Sequence, residues 1–107
     1  MIGKEYARVF IVHQNNDRFD FSDAQRYGTL VPLLGDNVDI YNPDRLLREL
    51  RTKLADFDED KDFMCLVGPL VPNALALLAL KDNTRSKVRL LMFDARKRLY
   101  IDRGIGL

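Results

Sequence analysis

A chain of 107 residues with 47% hydrophobic and 31% charged side chains has the balance of a soluble globular protein of one domain, large enough for a core and small for an elaborate enzyme. Its net charge of +1 gives no general pull toward nucleic acid or an acidic surface, and one cysteine, Cys65, excludes an internal disulfide. The charge is uneven along the chain: residues 1 to 60 carry 8 basic and 12 acidic side chains, and residues 61 to 107 carry 9 and 4.

Met1 to Arg8 has no apolar stretch of signal-peptide type, and no run approaches the ~18 apolar residues of a membrane span, so a cytoplasmic setting without membrane contact is expected. Ala7 to His13, rich in β-branched and aromatic residues, predicts a first strand closed by a turn at Gln14 to Asp17. Ser22 and Gln25 have capping-box spacing. They predict one or two helical turns from Asp23 to Tyr27, ended by Gly28 in a left-handed C-cap.

Thr29 to Leu34 predicts a second strand, pushed to a sheet edge or a bulge by Pro32. A turn at Gly35, Asp36 and Asn37 and a brief extended piece over Val38, Ile40 and Tyr41 follow. Asn42, Pro43 and Asp44 then read as N-cap, first helical residue and favourably placed anion. Leu46, Leu47, Leu50, Leu54 and Phe57 share one stripe, giving an amphipathic helix over 43 to 57, with Glu49 and Lys53 as an i,i+4 pair.

Asp58 to Asp62 reads as a polar linker. Phe63 to Val67 is an apolar strand closed by Gly68, Pro69 and Pro72 exclude a helix interior, and Asn73 caps a helix over 73 to 82. Val88 to Phe93 returns as a strand, so 63 to 93 forms a βαβ unit at the centre of the core, with Cys65 a small buried hydrophobe. A turn at Asp94 to Lys97 and a strand over Arg98 to Ile101 complete a hairpin, leaving residues 104 to 107 to fray. The fold class is α/β: a mostly parallel sheet of four or five strands with a C-terminal antiparallel hairpin and two main helices, both on one face if strands are added in one direction.

Four groupings invite chemistry. Asp56, Asp58, Asp60 and Asp62 alternate like early EF-hand ligands, but position 6 is Lys61 instead of Gly and position 12 is Val67 instead of Glu, so a solvated acidic turn is expected and no metal site. Gly68 lies between strand and helix, where phosphates often bind, yet Gly68 to Asn73 is neither G-x-G-x-x-G nor a Walker loop and its prolines remove amide donors. A tight turn that lets strand and helix pack closely is the simpler account.

His13, the lone histidine, ends the first strand with Asp17 and Asp20 near in sequence, so a small nucleotide-binding protein or enzyme with its ligand site at His13, Asp20 and Gly68 is one alternative. No Ser-His-Asp order, Cys-x-x-Cys pair or H-E-x-x-H supplies a catalytic set, and no cofactor is implied. Arg85, Lys87, Arg89, Arg96, Lys97 and Arg98 make the second alternative, a nucleic-acid surface on the basic hairpin, against a solvated face as the plain account.

The Ala/Leu helix is apolar all round. It is either covered on several sides within one copy or meets a second subunit, and the shortness of the chain favours the second, with Leu75, Leu77, Leu78 and Leu80 at the interface.

Phe19-Asp20-Phe21-Ser22 with Ala24 and Tyr27-Gly28-x-Leu30, Val67-Gly68-Pro69 entering an Ala-rich helix, and Val88-Arg89-Leu90-Leu91-x-Phe93-Asp94 with Tyr100 are similar to a group of short bacteriophage proteins without an assigned activity. The resemblance spans nearly the whole chain. It departs at Phe93, where such proteins often carry Trp before the Asp. It implies a phage or prophage setting in a bacterial cytoplasm and no mechanism. The expectation is therefore a non-enzymatic phage accessory protein, binding as a homo-oligomer, with a host or phage protein as a possible further partner.

Overall fold

The computed structural model describes residues 6–13, 20–35, 38–83 and 86–106, with the His13 side chain excepted. The turns expected at Gln14 to Asp17 and at Asp36 and Asn37, and Arg85, lie outside the described residues.

A five-stranded sheet, in the order β2-β1-β3-β4-β5, is built from β1 (Arg8–His13), β2 (Thr29–Leu34), β3 (Phe63–Cys65), β4 (Lys87–Asp94) and β5 (Leu99–Gly106). The first four strands run parallel and β5 pairs antiparallel with β4. Two helices, α1 (Pro43–Lys53) and α2 (Leu70–Asn83), and a 3-10 turn over Asp23–Arg26 complete the α/β fold. The expected parallel unit is present, with Met64 and Cys65 of β3 beside Leu90 and Leu91 of β4.

The strand order explains which face each connection covers. Moving from β2 to β3 and from β3 to β4 crosses the sheet in one direction, so right-handed crossovers put α1 and α2 on one face. The step from β1 to β2 goes the other way, and its 3-10 turn lies on the opposite face. Each strand therefore has two apolar sides: Phe10, Val12, Met64, Val88 and Leu90 join Leu50, Ala76 and Leu80 under the helices. Val9, Ile11, Cys65, Leu91 and Tyr100 join Phe21 and Ala24 beneath the 3-10 turn.

Pro32 stands in an edge strand, as its missing amide requires. Glu49 and Lys53 pair at 2.9 Å across one helical turn.

Several local expectations are corrected. Ser22 forms no capping box, because Asp20 Oδ1 accepts both its amide and its hydroxyl. Gly28 is not left-handed; glycine is needed there because a Cβ would stand 2.5 Å from the Ala7 carbonyl oxygen, against which the turn is pinned by the Thr29 amide. Ile40 and Tyr41 lie in a turn instead of an extended piece, since Asp39 takes the Tyr41 amide on Oδ1 and the Asn42 amide on its carbonyl. Asn42 precedes α1 without a side-chain cap, and α1 stops at Lys53, after which Leu54 and Phe57 stay buried in a following turn.

β3 ends at Cys65, two residues earlier than expected. Helix α2 starts at Leu70, so Pro72 is its third residue; the first four amides of a helix have no intrahelical acceptor, and the missing N–H costs nothing there. Asn73 is no cap: its Nδ2 donates to the carbonyls of Val67 and Pro69, at 3.2 and 2.7 Å. Gly68 has open space around its Cβ position, so close packing is not its reason; its φ of 102° is. Gly104 to Gly106 do not fray, because β5 continues to Gly106 opposite Lys87, and Leu107 lies outside the described residues.

The acidic linker is also not all solvated. Asp62 is fully buried, with Oδ1 accepting the Arg8 amide at 3.0 Å and Oδ2 accepting Arg8 Nη2 at 2.8 Å and the Asp58 amide at 2.9 Å. Asp56 takes Arg8 Nη1 at 3.0 Å from the outside.

Candidate functional site

Because β1 and β3 are parallel neighbours with Ile11 opposite Cys65, the His13 backbone and the turn at Gly68 come to the same end of the sheet. The chain leaves β1 toward one edge and β3 toward the other, so this is where the strand order reverses, the usual place for a ligand in an open α/β sheet. Asp20 is committed elsewhere: its carboxylate caps Ser22 and its carbonyl accepts the Tyr100 hydroxyl at 2.9 Å. The side-chain and backbone hydrogen bonds from Ser22 hold its carboxyl below the ordinary aspartate range. At the turn itself Pro69 and Pro72 carry no N–H, and Asn73, 9% exposed, spends its amide on two carbonyls while its Oδ1 accepts nothing among the described residues. Pro69 and Pro72 thus remove two of the amide donors that an anion at this turn would use.

Cys65 lies fully buried in β3, and burial pushes its thiol up to about 12, so it is no thiolate nucleophile at neutral pH. Among the described residues no three His, Cys, Asp or Glu side chains gather as a metal site. A shallow depression of 480 Å³ between Tyr6, Gln25 and Thr29, and a cleft of 140 Å³ between Asp39, Arg45 and Glu49, bring together no nucleophile and base.

The basic residues divide into two groups. Lys87 pairs with Asp60 at 3.2 Å; Arg89 pairs with Asp102 at 3.3 Å and lies over the Phe63 ring at 4.1 Å. At the other end of β4, about 24 Å away by strand rise, Arg96, Lys97 and Arg98 form an exposed hairpin turn, with Arg98 left-handed at φ 56°. Asp94 Oδ1 organises that turn by accepting the amides of Arg96 and Lys97 at 3.0 and 3.3 Å.

The 3-10 turn locks onto β5 through a dense set of bonds. Asp23 Oδ2 accepts the Tyr100 amide at 2.6 Å, and the Tyr100 carbonyl accepts Arg26 Nη2 at 2.9 Å and the Tyr27 hydroxyl at 2.8 Å. The Tyr100 amide and then Arg26 hold the Asp23 carboxyl below its ordinary 3.8. A depressed carboxylate stabilises the fold above the unfolded pKa, and that contribution fades as pH falls through 3.8 and below. Asp23→Asn should therefore flatten the loss of melting temperature between about pH 5 and pH 2.5, read by circular dichroism.

Helix α2 is divided by its wheel. Leu80 is 0% exposed and Ala76 and Ala79 are buried with it, so Leu80 belongs to the domain's own core and not to a contact between copies. Leu75 and Leu77 are half-buried against the same core, and Leu78 is 53% exposed. The outward row is Leu70, Ala74 and Leu78, with Val71 beside it; Leu70 is 82% exposed and Val71 40%. Leu70 and Val71 were not among the expected interface residues, because that expectation began the helix at Asn73; Ala74 lay inside the expected helix and was not singled out. The i, i+4, i+8 spacing of Leu70, Ala74 and Leu78 would have found them.

A family model described as Phage Pam3 gp32-like protein matches residues 7–106. The chain belongs to that phage protein family. The match spans every element that places the surfaces above, from β1 to β5, and agrees with the resemblance carried by the Asp20, Gly68 and Val88 segments. No curated protein and no solved structure matches the chain. Among the described residues no helix is long and apolar enough to cross a membrane.

Proposed function

We propose that this phage protein works without chemistry of its own, as a binding component that self-associates through the outward row of α2, in the cytoplasm of the infected bacterium. The observation that carries the reading is the exposure of Leu70, Val71 and Leu78 on a helix whose inner face is already complete. Burying such side chains is worth about 1.5–3 kcal/mol each. Three from each of two copies give at most about 9–18 kcal/mol against the ~4–15 kcal/mol that association costs, so the contact is weak and depends on concentration. Arg96, Lys97 and Arg98 support a nucleic-acid role less well, since Lys87 and Arg89 are spent in ion pairs away from them.

Light scattering after size exclusion, from about 5 to 200 µM, tests this. The wild type should pass from monomer to dimer mass. Leu70→Glu with Leu78→Glu should remain monomeric with an unchanged melting temperature. A wild type that is monomeric throughout ends the proposal.

A further inference from the structure

The C-terminal cations do not form one continuous basic face, but three of them make a different kind of contact. Lys87 and Arg89 are spent in ion pairs, whereas Arg96, Lys97 and Arg98 are exposed and make no ion pair or side-chain hydrogen bond among the described residues. Asp20 feels the charge of Arg98 across space, but its Oδ1 is taken by Ser22. Asp94 is turned into the loop: its Oδ1 accepts the amides of Arg96 and Lys97, and its carbonyl accepts the Arg98 amide at 2.8 Å. The three charges are thus carried on a turn whose backbone is fixed from within.

Position 98 supplies a second observation. Its φ of 56° is a conformation that Gly or Asn adopts at less cost, and no other non-glycine residue among those described has a positive φ. An arginine held there against the backbone preference is an outlier of the kind that gathers at binding sites.

The turn also ends a two-stranded ribbon. Cys65, the last residue of β3, lies opposite Leu91, so Met92, Phe93 and Asp94 pair with β5 alone. Three residues at ~3.4 Å carry the turn about 10 Å past the end of β3. Met92 and Leu99 on the helix side and Phe93 on the other are 39 to 49% exposed, so both faces of this ribbon are partly open.

We infer that the basic ribbon tip is a contact for duplex DNA, entering the major groove and setting Arg96, Lys97 and Arg98 against the phosphates that line it. That groove is ~12 Å wide and ~8.5 Å deep and admits a two-stranded ribbon, a depth that the ~10 Å reach of this one fills. Duplex RNA carries the same phosphates, but its deep and narrow major groove shuts a ribbon out. The contact reads charge and shape, without base sequence, and it uses no residue of the α2 row. Three neutralised phosphates give a slope of about −2.7 in log K against log salt, hence a loss of about 40-fold between 50 and 200 mM.

Fluorescence anisotropy of a labelled DNA duplex of about 20 base pairs, titrated with the full chain at about 50 and 200 mM NaCl, tests it. The wild type should show that 40-fold loss and should bind duplex RNA of equal length at least about tenfold more weakly. Arg96→Gln, Lys97→Gln and Arg98→Asn together keep the turn, because Asn accepts the left-handed backbone, and should weaken DNA binding at least about tenfold with an unchanged melting temperature. Arg45→Gln, Arg48→Gln and Lys81→Gln remove the same charge from exposed, unpaired positions on the helices and should change binding less than about threefold. No binding at the lower salt, equal losses in the two triple variants, or equal affinity for duplex RNA overturns the inference, and each leaves the α2 reading standing.

Discussion

Replacing Asp62 with alanine is expected to lower the stability of the domain by about 3–5 kcal/mol, the usual consequence of removing one partner from a buried ion pair. Val9 pairs with Phe63, so the residues just before them, Arg8 and Asp62, meet at the start of two adjacent parallel strands. Asp62 is fully buried while the Arg8 side chain is 17% exposed, and the carboxylate gathers bonds from the Arg8 amide, the Arg8 guanidinium and the Asp58 amide. Alanine would strip the acceptor from all three. Burial alone would lower the Arg8 pKa, but the hydrogen bonds to Asp62 and Asp56 outweigh it and the net shift is upward. The same change at Asp56, whose side chain is 74% exposed, should cost less than about 1 kcal/mol. Urea denaturation of both variants separates these outcomes. At ~4 °C per kcal/mol for a domain of this size, thermal melts should differ by about 8–20 °C. Equal losses would mean that the carboxylate is not the anchor of this corner.

Leu80→Ala is expected to cost about 3 kcal/mol, and Leu78→Ala close to nothing in the monomer, although the two residues are near neighbours on one helix. Leu80 lies with Leu50, Ala76 and Ala79 between α2, α1 and the sheet, where truncation leaves a cavity. Leu78 faces outward and has no cavity to leave. Chemical denaturation at about 1 µM, below the self-association range, measures the monomer alone. Comparable losses at both positions would mean that α2 is covered on its outer side within one copy, and the reading of Leu70 and Leu78 as a contact surface would fail with it.

The contrast shows what kind of information each residue carries. An apolar residue at helical spacing can be assigned to a helix from its neighbours in sequence, but α2 is apolar on every side, and a pattern without a polar face cannot say which face is inward. Leu75, Leu77, Leu78 and Leu80 were therefore legible together as a set and not individually. The same holds for the acidic stretch: Asp56, Asp58, Asp60 and Asp62 look alike in sequence, and only the arrival of Arg8 from β1 makes the last of them a buried anchor. The basic residues of the hairpin likewise read as one patch until strand length separates Lys87 and Arg89 from Arg96, Lys97 and Arg98.

The α/β class, the parallel pairing of β3 with β4, the restriction of β2 to an edge or a bulge through Pro32, and the C-terminal hairpin were all legible in the amino-acid sequence, because β-branched runs, proline geometry and turn residues act over a few neighbouring positions. Only the tertiary structure decided the strand order, the buried Arg8–Asp62 pair, the close approach of Gly28 to Ala7 and the outward face of α2. Those depend on distances between residues tens of positions apart, which the packing of the whole sheet sets and no local pattern encodes.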